Sequence, residues 1–198
     1  MEKNVYQAPD SEVLTKETDQ SEFYIVSPRK FLILFFSTLG LYSIYWFYKH
    51  WALYKVSNNE DMWPVMRALF SIFFTHSLFE LFDVRVREKD PEYKWFPSGL
   101  ATGYVILSII ETVTERMSAK EIGTPIVDII GFIAFPIIGI ILHKAQVVAN
   151  IGCGDPQGES NDNLTPANFV WIAIGALLWA VAILGIYVLA VGTPEFLL

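Results

Sequence analysis

From Pro166 to Val191 the chain carries no charged side chain. A soluble helix keeps one face in water and rarely sustains such a stretch. At 1.5 Å per residue, about 20 residues of helix cross the roughly 30 Å of bilayer hydrocarbon. Two further runs, 31–48 and 125–142, approach that length, the first without charge and the second interrupted only by Asp128. In the whole chain 53% of residues are hydrophobic and 18% charged, against roughly 25% charged in a soluble domain. The expected fold is therefore all-α, a polytopic transmembrane helical bundle.

Three of its helices announce their starts by the same chemistry. Ser27-Pro28, Thr124-Pro125 and Thr165-Pro166 each stand directly before an apolar run. A hydroxyl at the N-cap accepts an orphan backbone N–H, and proline at the first helical position gives up no bond. This predicts helices over about 28–48, 125–143 and 166–191, with a kink at Pro136 in the second. On the third, Gly175, Ala176, Ala180 and Gly185 form a small-residue stripe suited to close helix contact. Two weaker segments, 65–83 with Arg67, His76 and Glu80, and 98–115 with Glu111 and Glu115, complete five helices around the charged turn 85–94. The alternative is four spans with 65–83 lying in the interface.

Charge frames this domain. Residues 1–26 carry six acids against Lys3 and Lys16, which predicts a disordered acidic N-terminal tail that builds no core. The transmembrane domain then covers 27–192, and 193–198 form a short C-terminal tail. No basic start, short apolar core and small-residue cleavage site occur in order, so the first apolar run is expected to stay as a helix. A net charge of −7 argues against a nucleic-acid partner, which needs clustered cations. Cys153, the one cysteine, can form no internal disulfide and belongs to no CxxC spacing.

Orientation follows from Lys and Arg near the spans. Five crossings with the N-terminus inside place Arg29, Lys30, Arg85, Arg87, Lys89, Lys94 and Lys144 inside, against Lys49, Lys55, Arg67, Arg116 and Lys120 outside. Four crossings raise the contrast to eight against four and reverse the N-terminus.

Several groups could carry chemistry. Tyr45, Trp46, Tyr48, Lys49 and Trp51 crowd the end of the first run, and such residues collect where hydrocarbon meets headgroups, so they are expected to be interface anchors. A cation–π site is the alternative. His50, His76 and His143 do not sit at matched depths for a bis-histidine haem, and no cofactor or metal is expected. Under the five-span arrangement Arg67, Glu111, Glu115 and Asp128 share one leaflet. Embedded charges seek partners or water, so they form a candidate embedded charge cluster, either a structural ion pair or a proton or cation path. No GxSxG, HExxH or phosphate-loop pattern occurs, and no catalytic residue is expected.

The stretch Thr38-Leu39-Gly40-Leu41-Tyr42, continuing through Tyr45-Trp46-Phe47-Tyr48-Lys49 to Trp51, with Arg67-Ala68-Leu69-Phe70 beyond it, resembles a block shared by uncharacterised bacterial multi-span inner-membrane proteins. Asn4-Val5-Tyr6-Gln7-Ala8-Pro9 is similar to a short element at the start of several such proteins, with Val5 where the first proline would stand. The resemblance covers the front of the chain, to about position 80, and implies location and fold, not activity. The expected role is interaction or assembly within the membrane, with the lipid bilayer and other membrane proteins or a second copy as partners. The alternative is a minor transporter or ion-conducting subunit using the embedded carboxylates.

Overall fold

The structure, a computed structural model, describes residues 21–191. The expected tails over 1–20 and 193–198 lie outside the described residues. Those described are all-α, without strands, in seven α-helices: α1 Pro28–Ser37, α2 Tyr42–Asn58, α3 Pro64–Leu69, α4 Ser71–Lys89, α5 Pro97–Ser118, α6 Ile126–Gly152 and α7 Pro166–Val191, with a 3-10 turn at Glu159–Asn161 between the last two.

The single helix expected over 28–48 is two helices folded back on each other. Thr38 makes the break: its hydroxyl donates to the Leu34 carbonyl at 2.7 Å and accepts from the Tyr42 N–H at 3.0 Å, ending α1 and starting α2. The Gly40 N–H returns to the Phe35 carbonyl at 2.9 Å and the Leu39 N–H to Phe36 at 3.4 Å, the paired closure of a Schellman turn. Leu39 and Gly40 both take positive φ, 50° and 81°. With 10 residues, α1 rises only about 15 Å, half of a bilayer core. Phe31 on α1 meets both Tyr42 and Trp46 of α2 at ring centroids 5.9 and 6.1 Å apart, so α2 retraces the path of α1.

The helix expected over 65–83 is also two, α3 and α4, broken at Phe70 (φ −104°, ψ 38°). α3 packs only on α2 and α4, whereas α4 continues along α5 and α6.

α5 and α6 form a long antiparallel hairpin. A Cβ on Gly103 would touch Ile141, and one on Gly131 would come within 3.0 Å of the Thr114 hydroxyl, so the two helices stay in register from one end to the other. α6 is continuous through Pro136 and runs on to Gly152, well beyond its expected end near His143. Its final third joins the core.

That core lies at one end of the molecule, where α1, α2, α4 and the C-terminal part of α6 bury Phe31, Phe35, Trp46, Trp51, Phe79, Phe82 and Leu142. Residues 21–27, most of them part of the expected solvated tail, run extended into this core, with Phe23 and Val26 buried. The physical reason is local: Phe23, Tyr24, Ile25 and Val26 are apolar enough to be drawn in although the residues before them are acidic.

Among the described residues two helices, Ile126–Gly152 and Pro166–Val188, are long and apolar enough to cross a membrane. A core helix of a soluble protein would be mostly covered. Here only 33% of the apolar 18-residue stretch of α6 and 6% of that of α7 are buried against protein.

Candidate functional site: a buried polar junction and an aromatic-walled cavity

The head of the molecule is held by side chains that stand in for a missing strand. Along residues 24–27 the backbone has no neighbouring strand, and a buried unpaired backbone group costs about as much as a lost hydrogen bond. α6 supplies the partners. Gln146 Nε2 donates to the Tyr24 carbonyl at 2.9 Å, and Asn150 Nδ2 donates to the Val26 carbonyl at 2.9 Å while its Oδ1 accepts from the Val26 N–H at 3.4 Å. Asn161 serves Ile25 by donating to its carbonyl at 2.8 Å. Gln146 and Asn150 are one turn apart and bond each other at 2.7 Å.

α2 closes the network. Trp46 Nε1 donates to Gln146 Oε1 at 2.5 Å. His50 Nδ1 accepts the Tyr24 N–H at 3.3 Å, which leaves its Nε2 to donate to the same Gln146 oxygen at 3.3 Å. The tautomer follows from the Tyr24 bond, because a backbone N–H can only donate. Full burial pushes the His50 imidazole down to about 3. Each member of the network is committed to structure, and none is a free acid or base.

Charge at the rim reinforces the junction. Arg85 reaches Glu22 at 3.2 Å and Glu88 at 2.5 Å, tying residue 22 to α4. The Arg87 guanidinium, at 2.8 Å, holds the Asp83 carboxyl below its usual range, and Trp95 Nε1 donates to that carboxylate at 2.8 Å. Lys30 Nζ donates to Asn161 Oδ1 and the Asn163 carbonyl, both at 2.7 Å. Burial pushes the Cys153 thiol up, away from the thiolate that nucleophilic or redox chemistry needs.

Beside the junction, α1, α2, α3 and the start of α7 line an open-sided cavity of about 580 Å³. Its wall is mainly apolar, with Leu34, Leu41, Ile44, Leu69 and Trp171 facing Tyr42, Tyr45 and Tyr48. The Tyr42 hydroxyl is buried and finds no partner in hydrogen-bonding geometry, although Tyr24 lies near it. A second cavity of about 570 Å³ lies between Tyr93–Leu100 and the 143–148 stretch of α6.

The expected anchors divide between two environments. Tyr45, Tyr48 and Lys49 are exposed or half-exposed, with Lys49 5.8 Å from the Tyr24 ring. Trp46 and Trp51 are fully buried core residues and ring no interface. The fold-back at Thr38 is the cause, since it turns one face of α2 onto α1, α4 and α6.

The expected charge cluster is not assembled. Arg67 lies on α3, 4.4 Å from the Trp51 ring and 5.1 Å from Phe74, and α3 does not reach α5 or α6. Glu111, Glu115 and Asp128 lie towards the far end of the α5–α6 hairpin. Among the described residues no ion pair includes any of the four. The histidines are likewise apart in their bonding, His76 meeting Thr102 at 3.0 Å and His143 packing on Phe31. No group of three or more His, Cys, Asp or Glu placed to hold a metal occurs among the described residues.

What sequence reasoning misses is the Gln146–Asn150 pair. The signal is present: two amides one turn apart, continuing the most apolar stretch of α6, where a solvent-facing helix end would more often carry charge. Compared with protein-family models, curated proteins and solved structures, the chain matches none.

Proposed function

We propose that the chain is a multi-pass inner-membrane protein that acts by interaction or assembly within the membrane, with no catalytic step of its own. The observation that carries this reading is α7. It presents Leu177, Val181, Ile183, Ile186 and Tyr187 outward, and among the helices it packs only on α1. So much exposed apolar surface requires lipid or another helix to cover it.

The hairpin geometry extends the argument to α5. Its hydropathy is interrupted by Glu111, Glu115 and Arg116, but its register with α6 means that it enters the membrane wherever α6 does. Three crossing helices, α5, α6 and α7, then carry a head in which α1 and α2 form a returning pair that begins and ends on the same side. Arg29, Lys30, Lys49, Lys55, Arg67, Arg85, Arg87, Lys89, Lys94 and Lys144 fall on the head side, against Arg116 and Lys120 at the far end. That asymmetry exceeds either count from sequence alone and favours a cytoplasmic head. A conducting role for Glu111, Glu115 and Asp128 has less behind it, since neither of the two head cavities is lined by them.

The test is disulfide or short-linker crosslinking in native membranes, using Cys153→Ser with single cysteines at Leu177, Ile183 and Leu184. An interaction role predicts a discrete crosslinked species from one face of α7. Crosslinking that is absent or equal from every face contradicts it.

A further inference from the structure

We propose that the second cavity, between residues 93–100 and the 143–148 stretch of α6, holds the headgroup of an anionic glycerophospholipid, its phosphate between Lys94 and Lys144 and one acyl chain along α6. The proposal rests on the membrane reading above and adds a ligand class and a site.

Charge carries the first step. The cavity, about 570 Å³ and open-sided, is lined by Lys94, His143 and Lys144 among aromatic and aliphatic residues, and by no carboxylate. Both lysines are exposed, and among the described residues neither is in an ion pair. Two ammonium groups, one from each wall, attract an anion whose oxygens accept their protons' hydrogen bonds.

Depth selects a membrane anion. Between Asp128 and Lys144 the helix α6 carries no charged side chain, and the rise from one to the other is about 24 Å, close to the thickness of bilayer hydrocarbon. Lys144 is therefore the first charge on the head side of the crossing. α5 starts at Pro97, so the antiparallel hairpin brings Lys94 to the same end. Basic pockets at that level, on the cytoplasmic side, suit anionic headgroups.

The third observation chooses a lipid over a soluble anion. Ile133, Ile137 and Ile140 precede Lys144 at helical spacing, so the four side chains share one face of α6. The three isoleucines are 53%, 39% and 51% exposed. An acyl chain laid along them ends with its headgroup at Lys144, whereas a soluble anion would use the lysines and leave the stripe bare.

The experiment places the full chain in phosphatidylcholine vesicles doped with either phosphatidylglycerol or phosphatidylcholine carrying the same acyl-chain diazirine, followed by irradiation and mapping of labelled residues. The phosphatidylglycerol probe should label 133–140 in excess over 181–187 on α7, and the phosphatidylcholine probe should label both alike. A lysine near the membrane surface is worth roughly fivefold in binding, so Lys144→Gln should cut the excess by about that factor. Lys94→Gln added to it should erase the excess and leave α7 labelling unchanged, while Lys94→Arg with Lys144→Arg should keep it. Inorganic phosphate at matched ionic strength should not compete.

Equal labelling of α6 by the two probes overturns the headgroup site and leaves the membrane reading intact. Label on neither α6 nor α7 overturns both. An excess that survives the double glutamine variant, or is lost equally in the double arginine variant, overturns the role of the lysines. An excess abolished by inorganic phosphate makes the cavity a site for a free anion and overturns the lipid.

Discussion

Trp46 on α2 donates its indole N–H to Gln146 on α6 at 2.5 Å, joining residues 100 positions apart at the point where the folded-back α1–α2 pair meets the C-terminal part of α6. The bond forms only because Thr38 and Gly40 reverse the chain. Had α1 continued straight, Trp46 would lie about 27 Å from Pro28 along the axis.

Gln146→Ala removes that acceptor and also the donor to Tyr24. Three buried polar groups, the Trp46 and His50 ring N–H donors and the Tyr24 carbonyl, are left without that partner, and the loss should be about 2–4 kcal/mol. Equilibrium unfolding in detergent, followed by tryptophan fluorescence, measures it. A loss below about 1 kcal/mol would show that water replaces the amide.

His50 gives the head a pH dependence of defined sign. Its folded value is pushed down to about 3, below the usual value of about 6.5 in an unfolded chain. The unfolded chain thus takes up the proton first, so stability is complete above about pH 6.5 and falls as pH drops through that value. From about pH 6.5 down to pH 5 the loss should be about 1.5 kcal/mol. His50→Gln should remove most of this slope. Unfolding midpoints across that range decide it.

Gly175 sits where α7 crosses the end of α1. A Cβ there would collide with the Ser37 carbonyl, and one turn on Trp179 Nε1 donates to the Phe36 carbonyl at 2.8 Å. Gly175→Ala should separate α7 from α1 and cost about 1–3 kcal/mol. Gly185→Ala, with nothing within 4 Å of the added carbon, should be close to neutral. The contrast reads out as protease sensitivity of the 153–165 connection.

Arg67 and Glu111 should behave as independent sites. Arg67 stacks on Trp51 and Phe74, so Arg67→Gln and Glu111→Gln should be additive within about 0.5 kcal/mol in a double-mutant cycle. A coupling above about 1 kcal/mol would restore the ion pair that spacing alone suggests.

The apolar runs announce the helical class, and two of the three hydroxyl–proline starts hold as caps. Ser27 accepts from the Lys30 N–H at 3.1 Å, and Thr165 exchanges bonds with Asn168. What hydropathy does not reveal is reversal inside an apolar run. Residues 31–48 carry no charge, so the window passes over Thr38 and Gly40, although that pair is a helix terminator when its caps are weighed. Arg67 is hard to place for a related reason. Helical spacing positions a charge only while the helix continues, and α3 ends soon after it, before Phe70. The burial of 21–27 is hidden because a local charge count outweighs four apolar residues, and the side chains that accept hydrogen bonds from or donate to the backbone of 24–26, His50 apart, lie over a hundred positions away.

Reporter fusions after Asn59, Asp90, Lys120 and Asp162 test the central claim, that α1 and α2 form a returning pair on a head carried by three crossing helices. The account predicts the cytoplasmic side for Asn59, Asp90 and Asp162 and the opposite side for Lys120. Asn59 and Asp90 reporting opposite sides would contradict it.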